Sequence, residues 1–301
     1  MLKVLVTGAS GYIATQLLPT FRERYELVQI DVSDRNRKGD TIEGVQVADL
    51  IDADRSRYAK YFEGADAVVH LGYKRRTGEP LDHYFDEKQN VDMAYNVFRT
   101  AHEAGVPRVV MASSNHAADW YEHQLIHTRK MESLDPYTLP LSDNFYGWAK
   151  ATYEHLGFMF ASGLDDFTDA SGRLQHTGGN SDASHMGVVM VRIGAPRELQ
   201  LSDFNDPGSY KRDLGAYISQ RDMAQLFVKS IETPDINNDL GVPWQVVYGI
   251  SDNTRAFWSL TNARQVLGYA PEDDSEIQFA EDIRKFLIDG DAGSGRVGAD
   301  D

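Results

Sequence analysis

Directly after an opening apolar run, Val4–Thr7, the chain reads Gly8-Ala9-Ser10-Gly11-Tyr12-Ile13-Ala14 and then enters a helical pattern through Gln16, Leu17 and Leu18. This strand–turn–helix constrains the fold more than any other feature of the sequence. Glycine is needed where the backbone reverses sharply and where it must come close to a pyrophosphate. Gly8 and Gly11 meet those two needs, and the open N–H groups of a helix start can hold negative charge. Ala14 stands where a third glycine is usual; helix–strand packing asks only that it be small. Any tight turn can use glycines this way, so the surrounding sequence has to decide.

Further apolar runs follow at Leu27–Asp31, Val45–Ala48, Ala67–Leu71, Val109–Ala112 and Val188–Ile193, with a late one at Gln245–Tyr248. They are continuous rather than alternating, which suits strands buried on both faces. Val91–Ala104 and Tyr146–Phe160 have helical spacing. Strands alternating with helices predict an α/β fold, a Rossmann-type doubly wound parallel sheet with a small intertwined C-terminal substrate subdomain. No clean linker divides the chain. The expectation is one domain over 1–290, with the nucleotide core mainly in 1–162 and the substrate-side elements mainly in 187–290. Residues 163–186, rich in Gly, Asp, Ser and His, read as a surface insertion, and 291–301 as a flexible tail.

With 301 residues, 42% of them hydrophobic, the chain can bury a sizeable core. A formal charge of −16 argues against nucleic acid or an anionic membrane as partner, since both are polyanions. The absence of cysteine excludes disulfides, thiol catalysis and thiolate metal sites, and no metal is expected. The N-terminus runs straight into a strand pattern, and no apolar run approaches the roughly 20 residues of a membrane helix. A cytoplasmic protein is expected.

Asp31 ends the second apolar run, where a carboxylate can accept from adenosine ribose hydroxyls. The same carboxylate would repel a 2′-phosphate, so the expected cofactor is NAD rather than NADP, although Arg35 nearby leaves some room for NADP. Asp49 and Leu50 close the third strand and are placed as an adenine contact. Leu71 and Gly72 close the fourth, where backbone would pass beside the cofactor.

Tyr146-Gly147-Trp148-Ala149-Lys150 sets a lysine one helical turn from a tyrosine, on the same face. The pair is common by chance. Here it follows a strand that ends in Ser113-Ser114-Asn115-His116, at the rim where such sheets bind ligands. A tyrosine base needs its pKa of about 10 brought toward 7, roughly 4 kcal/mol. A lysine ammonium and a positive nicotinamide ring would supply it.

The glycine turn, Asp31, Ser114-Asn115-His116 and the Tyr146/Lys150 pair together resemble the extended short-chain dehydrogenase/reductase superfamily. Ala112–His116, Val191-Arg192-Ile193-Gly194 and Tyr248-Gly249-Ile250-Ser251-Asp252-Asn253 resemble uronate dehydrogenases and the archaeal NAD-dependent glucose-6-phosphate dehydrogenases. The similarity covers most of the chain outside the insertion and tail. It implies oxidation of a cyclic sugar at its anomeric carbon to a lactone, a homodimer, and cofactor contacts from Tyr12, Ile13, Asn90 and Ile193 as well as Tyr146 and Lys150. Tyr146 would take the C1 hydroxyl proton, Lys150 would lower the tyrosine pKa and hold the nicotinamide ribose, and Ser114 would bond the reacting oxygen. Asn115 and His116 would bind neighbouring sugar hydroxyls.

The sequence departs from this pattern at two places and matches it at a third. Lys74-Arg75-Arg76 occupies the position of a substrate serine, Ala195 that of a second, and the family's carboxylate-binding arginine matches Arg212, with Lys211 a near alternative. A basic trio in so acidic a chain reads as an anion site. Arg75, Arg76 and Arg212 are therefore expected to hold an anionic C6 group: carboxylate, phosphate or sulfonate. The competing readings are a nucleotide-sugar epimerase or dehydratase, which needs a larger C-terminal part, and a non-catalytic NAD sensor, which needs no Tyr/Lys pair.

Overall fold

The structure is a computed structural model that describes residues 1–163, 186–204 and 206–288. Apart from its two end residues, the expected 163–186 insertion lies outside the described residues, as does the 291–301 tail.

The strands are β1 Lys3–Thr7, β2 Glu26–Asp31, β3 Val45–Val47, β4 Ala67–His70, β5 Arg108–Ser114, β6 Gly187–Ile193 and β7 Trp244–Gly249. They form a seven-stranded sheet in the order β3-β2-β1-β4-β5-β6-β7, and β1 pairs in parallel with both β2 and β4. Val4, Leu5 and Val6 of β1, and Val68 and Val69 of β4, are fully buried, which is why their runs read as unbroken apolar stretches. The strand order reverses at β1. In open α/β sheets ligands bind at the carboxyl ends of the strands beside such a reversal, and Gly8 and Leu71-Gly72 sit at the ends of β1 and β4.

The chain divides into two units, each assembled from three segments. The first takes Met1–Ser113, Ala149–Met190 and Ser230–Gln245; the second takes Ser114–Trp148, Val191–Lys229 and Val246–Asp301. In the first, Leu17, Leu18 and Phe21 of the Tyr12–Arg24 helix are buried, as are Val97 and Phe98 of the His83–Glu103 helix. In the second, Leu199, Tyr210, Leu214, Tyr217, Phe279 and Ile283 form an apolar cluster.

The second long helix departs from its expected range. It begins at His83, not Val91. Its first two turns bury Asp86, Glu87 and Asn90, so their inward face carries polar residues and apolar periodicity cannot register it. The Phe145–Ala161 helix matches the expected 146–160 closely. Among the described residues no helix is long and apolar enough to cross a membrane.

Candidate active site

Gly8 has φ +69°, and a Cβ built on it would lie 2.6 Å from the Gly72 nitrogen and the Leu71 carbonyl carbon. Both the left-handed backbone and the contact with a neighbouring main chain demand glycine. Gly11 caps the Tyr12–Arg24 helix with no side-chain hydrogen bond and no acidic residue in the first turn. The N–H groups of that turn, Tyr12 and Ile13 included, have no intrahelical acceptor by geometry and can take an anion. The Tyr12 ring is partly exposed, with the Arg37 guanidinium 5.8 Å from its centroid.

At the end of β2, Asp31 accepts from the Ser10 N–H (2.9 Å) and the Val32 N–H (2.6 Å). These bonds fix the carboxylate beside the glycine turn with acceptor capacity left over. Arg35 donates to the Gly39 carbonyl (2.9 Å), which ties it to its own loop. Asp49 accepts from the Ile51 N–H, while buried Leu50 is held through its carbonyl by the Asn96 amide (2.9 Å). His70 is sealed at the end of β4 with Nδ1 2.6 Å from the Thr7 hydroxyl, and burial pushes its pKa down to about 3, so it is neutral. A left-handed glycine against bare backbone, an uncapped helix start and an anchored carboxylate are the features that an adenine dinucleotide needs, and the residues fit one. Asp31→Ala is expected to weaken NAD binding by about tenfold, the loss of roughly 1.5 kcal/mol of hydrogen bonding to a charged acceptor, and to narrow the preference for NAD over NADP. Titration of both cofactors by quenching of intrinsic fluorescence checks this; NADP binding better than NAD before substitution would refute it.

The loop after β4 is strapped to the polar start of the His83–Glu103 helix. Asn90, fully buried, donates to the Lys74 carbonyl (2.9 Å) and to Glu87 (3.2 Å) and accepts from the Lys74 N–H (2.8 Å). Its amide is thus engaged in shaping the loop. Lys74 Nζ lies 3.3 Å from Asp86, Arg76 Nε 3.6 Å from Glu87, and the Tyr73 hydroxyl donates to Glu87 (2.8 Å). Two of the three basic residues are therefore matched by carboxylates. Arg75 is exposed and has no hydrogen bond or ion pair among the described residues.

Lys150 is buried, donates to the Ala112 carbonyl of β5 (2.9 Å) and lies 4.5 Å from the Tyr153 ring centroid. Burial lowers its pKa from the ordinary lysine value to about 8, against the opposing pull of Glu87 and Glu154. Glu154 itself is buried and accepts from the Ser113 hydroxyl (2.7 Å).

In the second unit, Ser114 and Asn115 are almost fully buried at the end of β5. The Ser114 hydroxyl accepts from the His116 N–H (3.3 Å). The His116 ring meets the Tyr146 ring edge-on, centroids 5.5 Å apart. Gly147 is obligatory beside it, because a Cβ there would lie 2.0 Å from the His116 carbonyl oxygen. The Asn115 amide is satisfied when its nitrogen donates to the Ile193 carbonyl (3.0 Å) and its oxygen accepts from Arg212.

Arg212 carries the largest difference from expectation. Its guanidinium grips Glu122 with two bonds, Nε to Oε1 (2.7 Å) and Nη2 to Oε2 (3.0 Å), and reaches Asp213 at 3.1 Å. The Trp258 ring lies against it, 5.3 Å from centroid to Cζ. His127 Nε2 completes Glu122 at 3.2 Å, and Arg197 completes Asp213 at 2.6 Å. The fork expected for a substrate anion is filled by the protein's own carboxylate. Lys211, the alternative, is buried, which lowers its pKa. Sequence reasoning missed Glu122, Asp213, Asp119 and Glu87. Only Asp119, three residues after His116, had a spacing from which it could have been read.

The chain matches the model of the NAD dependent epimerase/dehydratase family over residues 4–240. It is 32% identical over 282 residues to an NAD-dependent glucose-6-phosphate dehydrogenase of Haloferax volcanii, covering 90% of this chain and 94% of that one. A uronate dehydrogenase of Pseudomonas syringae pv. tomato is 27% identical over 278 residues, covering 91% and 83%. The crystal structure of a glucuronic acid dehydrogenase from Chromohalobacter salexigens superposes with a TM-score of 0.69 at 25% identity, covering 97% of this chain and 90% of that one. With the glycine turn, the seven-stranded order and the family match coinciding, the chain is a member of the NAD dependent epimerase/dehydratase family, an NAD-dependent oxidoreductase.

Proposed function

We propose that the protein oxidises the anomeric hydroxyl of a hexose with an anionic C6 group, giving the lactone. The observation that carries this reading is Lys150, buried with its pKa down at about 8, one turn along its helix from Tyr146. A lysine so placed is poised to stabilise a tyrosinate. NAD, when bound, supplies the hydride acceptor. Tyr146 removes the proton from the C1 hydroxyl as the C1–O bond becomes a carbonyl, and Ser114 donates to that oxygen. Lys150 favours the anionic form of Tyr146. Asn115 and His116 bond the adjacent ring hydroxyls. The names of the relatives in Haloferax and Pseudomonas support a sugar substrate with an acidic group.

Arg75 is assigned the C6 anion, because Lys74, Arg76 and Arg212 already face carboxylates. A guanidinium offers a planar fork to carboxylate, phosphate or sulfonate. Arg75→Ser is expected to raise KM strongly with a smaller effect on kcat, because this contact forms in ground and transition states alike. The loss of a charge-assisted hydrogen bond, roughly 1.5–3 kcal/mol, predicts a ten- to hundredfold fall in kcat/KM. Initial rates of NADH formation with glucuronate, galacturonate, glucose 6-phosphate, sulfoquinovose and glucose, in both proteins, supply the comparison. Equal losses for charged and neutral sugars would remove the anion assignment and leave the dehydrogenase reading standing.

A further inference from the structure

In the proposed reaction His116 binds a sugar hydroxyl through one of its two ring nitrogens. A neighbouring buried carboxylate bears on which of them carries the proton. Asp119 lies one turn after His116, with its side chain 2% exposed, and its Oδ2 is 2.5 Å from His116 Nδ1. Asn144 Nδ2 donates to the same oxygen (3.0 Å), and Asn144 Oδ1 accepts from the Gly147 N–H (2.9 Å) at the start of the helix that carries Tyr146. The other oxygen, Oδ1, is buried without a partner. Among the described residues no lysine or arginine pairs with Asp119.

A buried carboxylate with no cation beside it draws hydrogen-bond donors strongly, because leaving its charge unpaired in a low dielectric is costly. His116 is the strongest donor present, so its Nδ1 keeps the proton. A neutral imidazole with its proton on Nδ1 has a lone pair at Nε2. His116 stays partly open at 42% side-chain exposure, with its ring against Tyr146.

We propose that Asp119 is a positioning residue that locks His116 in the Nδ1–H form, making Nε2 an acceptor for a ring hydroxyl of the sugar. This rests on the dehydrogenase reading for its ligand and on the Asp119–His116–Asn144 geometry for its chemistry. The site would then select a sugar that presents an O–H donor there and reject one with that oxygen methylated or missing. The Asn144 link ties the same imidazole to the helix start of the proton acceptor, so sugar binding and Tyr146 share one rigid frame.

Two measurements test it. Nitrogen-15 spectra of the histidine side chains in the cofactor-free protein should show Nδ1 of His116 protonated and Nε2 unprotonated, with the resonance assigned by its loss in His116→Ala. In Asp119→Ala the protonated nitrogen should change to Nε2, the form favoured in free imidazole side chains. Asp119→Asn, which keeps the shape and one acceptor oxygen, should retain Nδ1–H. In the kinetic arm, glucuronate and glucose 6-phosphate are the probes, each with NAD. Asp119→Ala should raise KM about five- to twentyfold, with kcat and NAD affinity changed by less than about threefold, a loss corresponding to about one to two kcal/mol, as for one hydrogen bond. In the His116→Ala background the same substitution should have no further effect, since residues acting through one another are not additive. Protonation at Nε2 in the unmodified protein, or additive losses in the double variant, overturns the proposal. If none of glucuronate, galacturonate, glucose 6-phosphate and sulfoquinovose is turned over, the dehydrogenase reading fails, and the spectra still decide the role of Asp119.

Discussion

Tyr146→Phe should lower kcat with the true substrate by more than about a hundredfold and leave NAD affinity within about twofold, because only the acid–base hydroxyl is removed. The ring stays, and with it the edge-on contact with His116. Lys150 keeps its bond to the Ala112 carbonyl, which belongs to β5 and not to the tyrosine. The cradle of Gly8, Gly11 and Asp31 is untouched. Stopped-flow measurement of a single turnover, beside a cofactor titration, separates chemistry from binding. Residual turnover above about one per cent of the original rate would show that another group takes the proton.

Arg212→Ala should destabilise the second unit by about 3–5 kcal/mol, the usual cost of removing one partner from a buried ion pair. Glu122 is 3% exposed and would be left with His127 as its remaining partner. Burial alone would push the Glu122 carboxyl upward, yet Arg212 and His127 together hold it far below the usual carboxylate range. A carboxylate depressed in the folded state contributes stability that is complete above its unfolded value of about 4.3 and is lost as pH falls toward the folded one. The Arg212 contribution should therefore be present at neutral pH and shrink in acid. The joint replacement of Glu122 by Leu and Arg212 by Met should cost much less than Arg212→Ala alone, because no charge is then stranded. Urea midpoints at pH 7 and pH 4 test both statements. A loss below about 1 kcal/mol would mean that the pair is solvated and the fork is open to a substrate anion, restoring the role first expected of Arg212.

The strands and the glycine turn were legible because local chemistry dictates them. A glycine with φ +69° against backbone, as at Gly8, tolerates no other residue, and a strand buried on both faces writes itself as an apolar run. Tyr146 and Lys150 were legible for the same reason: i and i+4 on a helix share a face whatever surrounds them. Charge was different. The sequence shows Lys74, Arg75, Arg76 and Arg212 as four equal cations, and only the tertiary structure brings Asp86, Glu87 and Glu122 to three of them, leaving Arg75. Glu122 is 90 residues from Arg212, a separation at which pairing has no sequence signal. The polar first turns of the His83–Glu103 helix were hidden likewise, because Asp86, Glu87 and Asn90 are buried for the loop that they hold and not for apolar packing. Sequence alone thus determined where the backbone turns and which residues share a helix face, both consequences of short-range sterics. Which of the four cations stands without a carboxylate among the described residues depended on Asp86, Glu87 and Glu122, which only the folded chain brings into contact with the others.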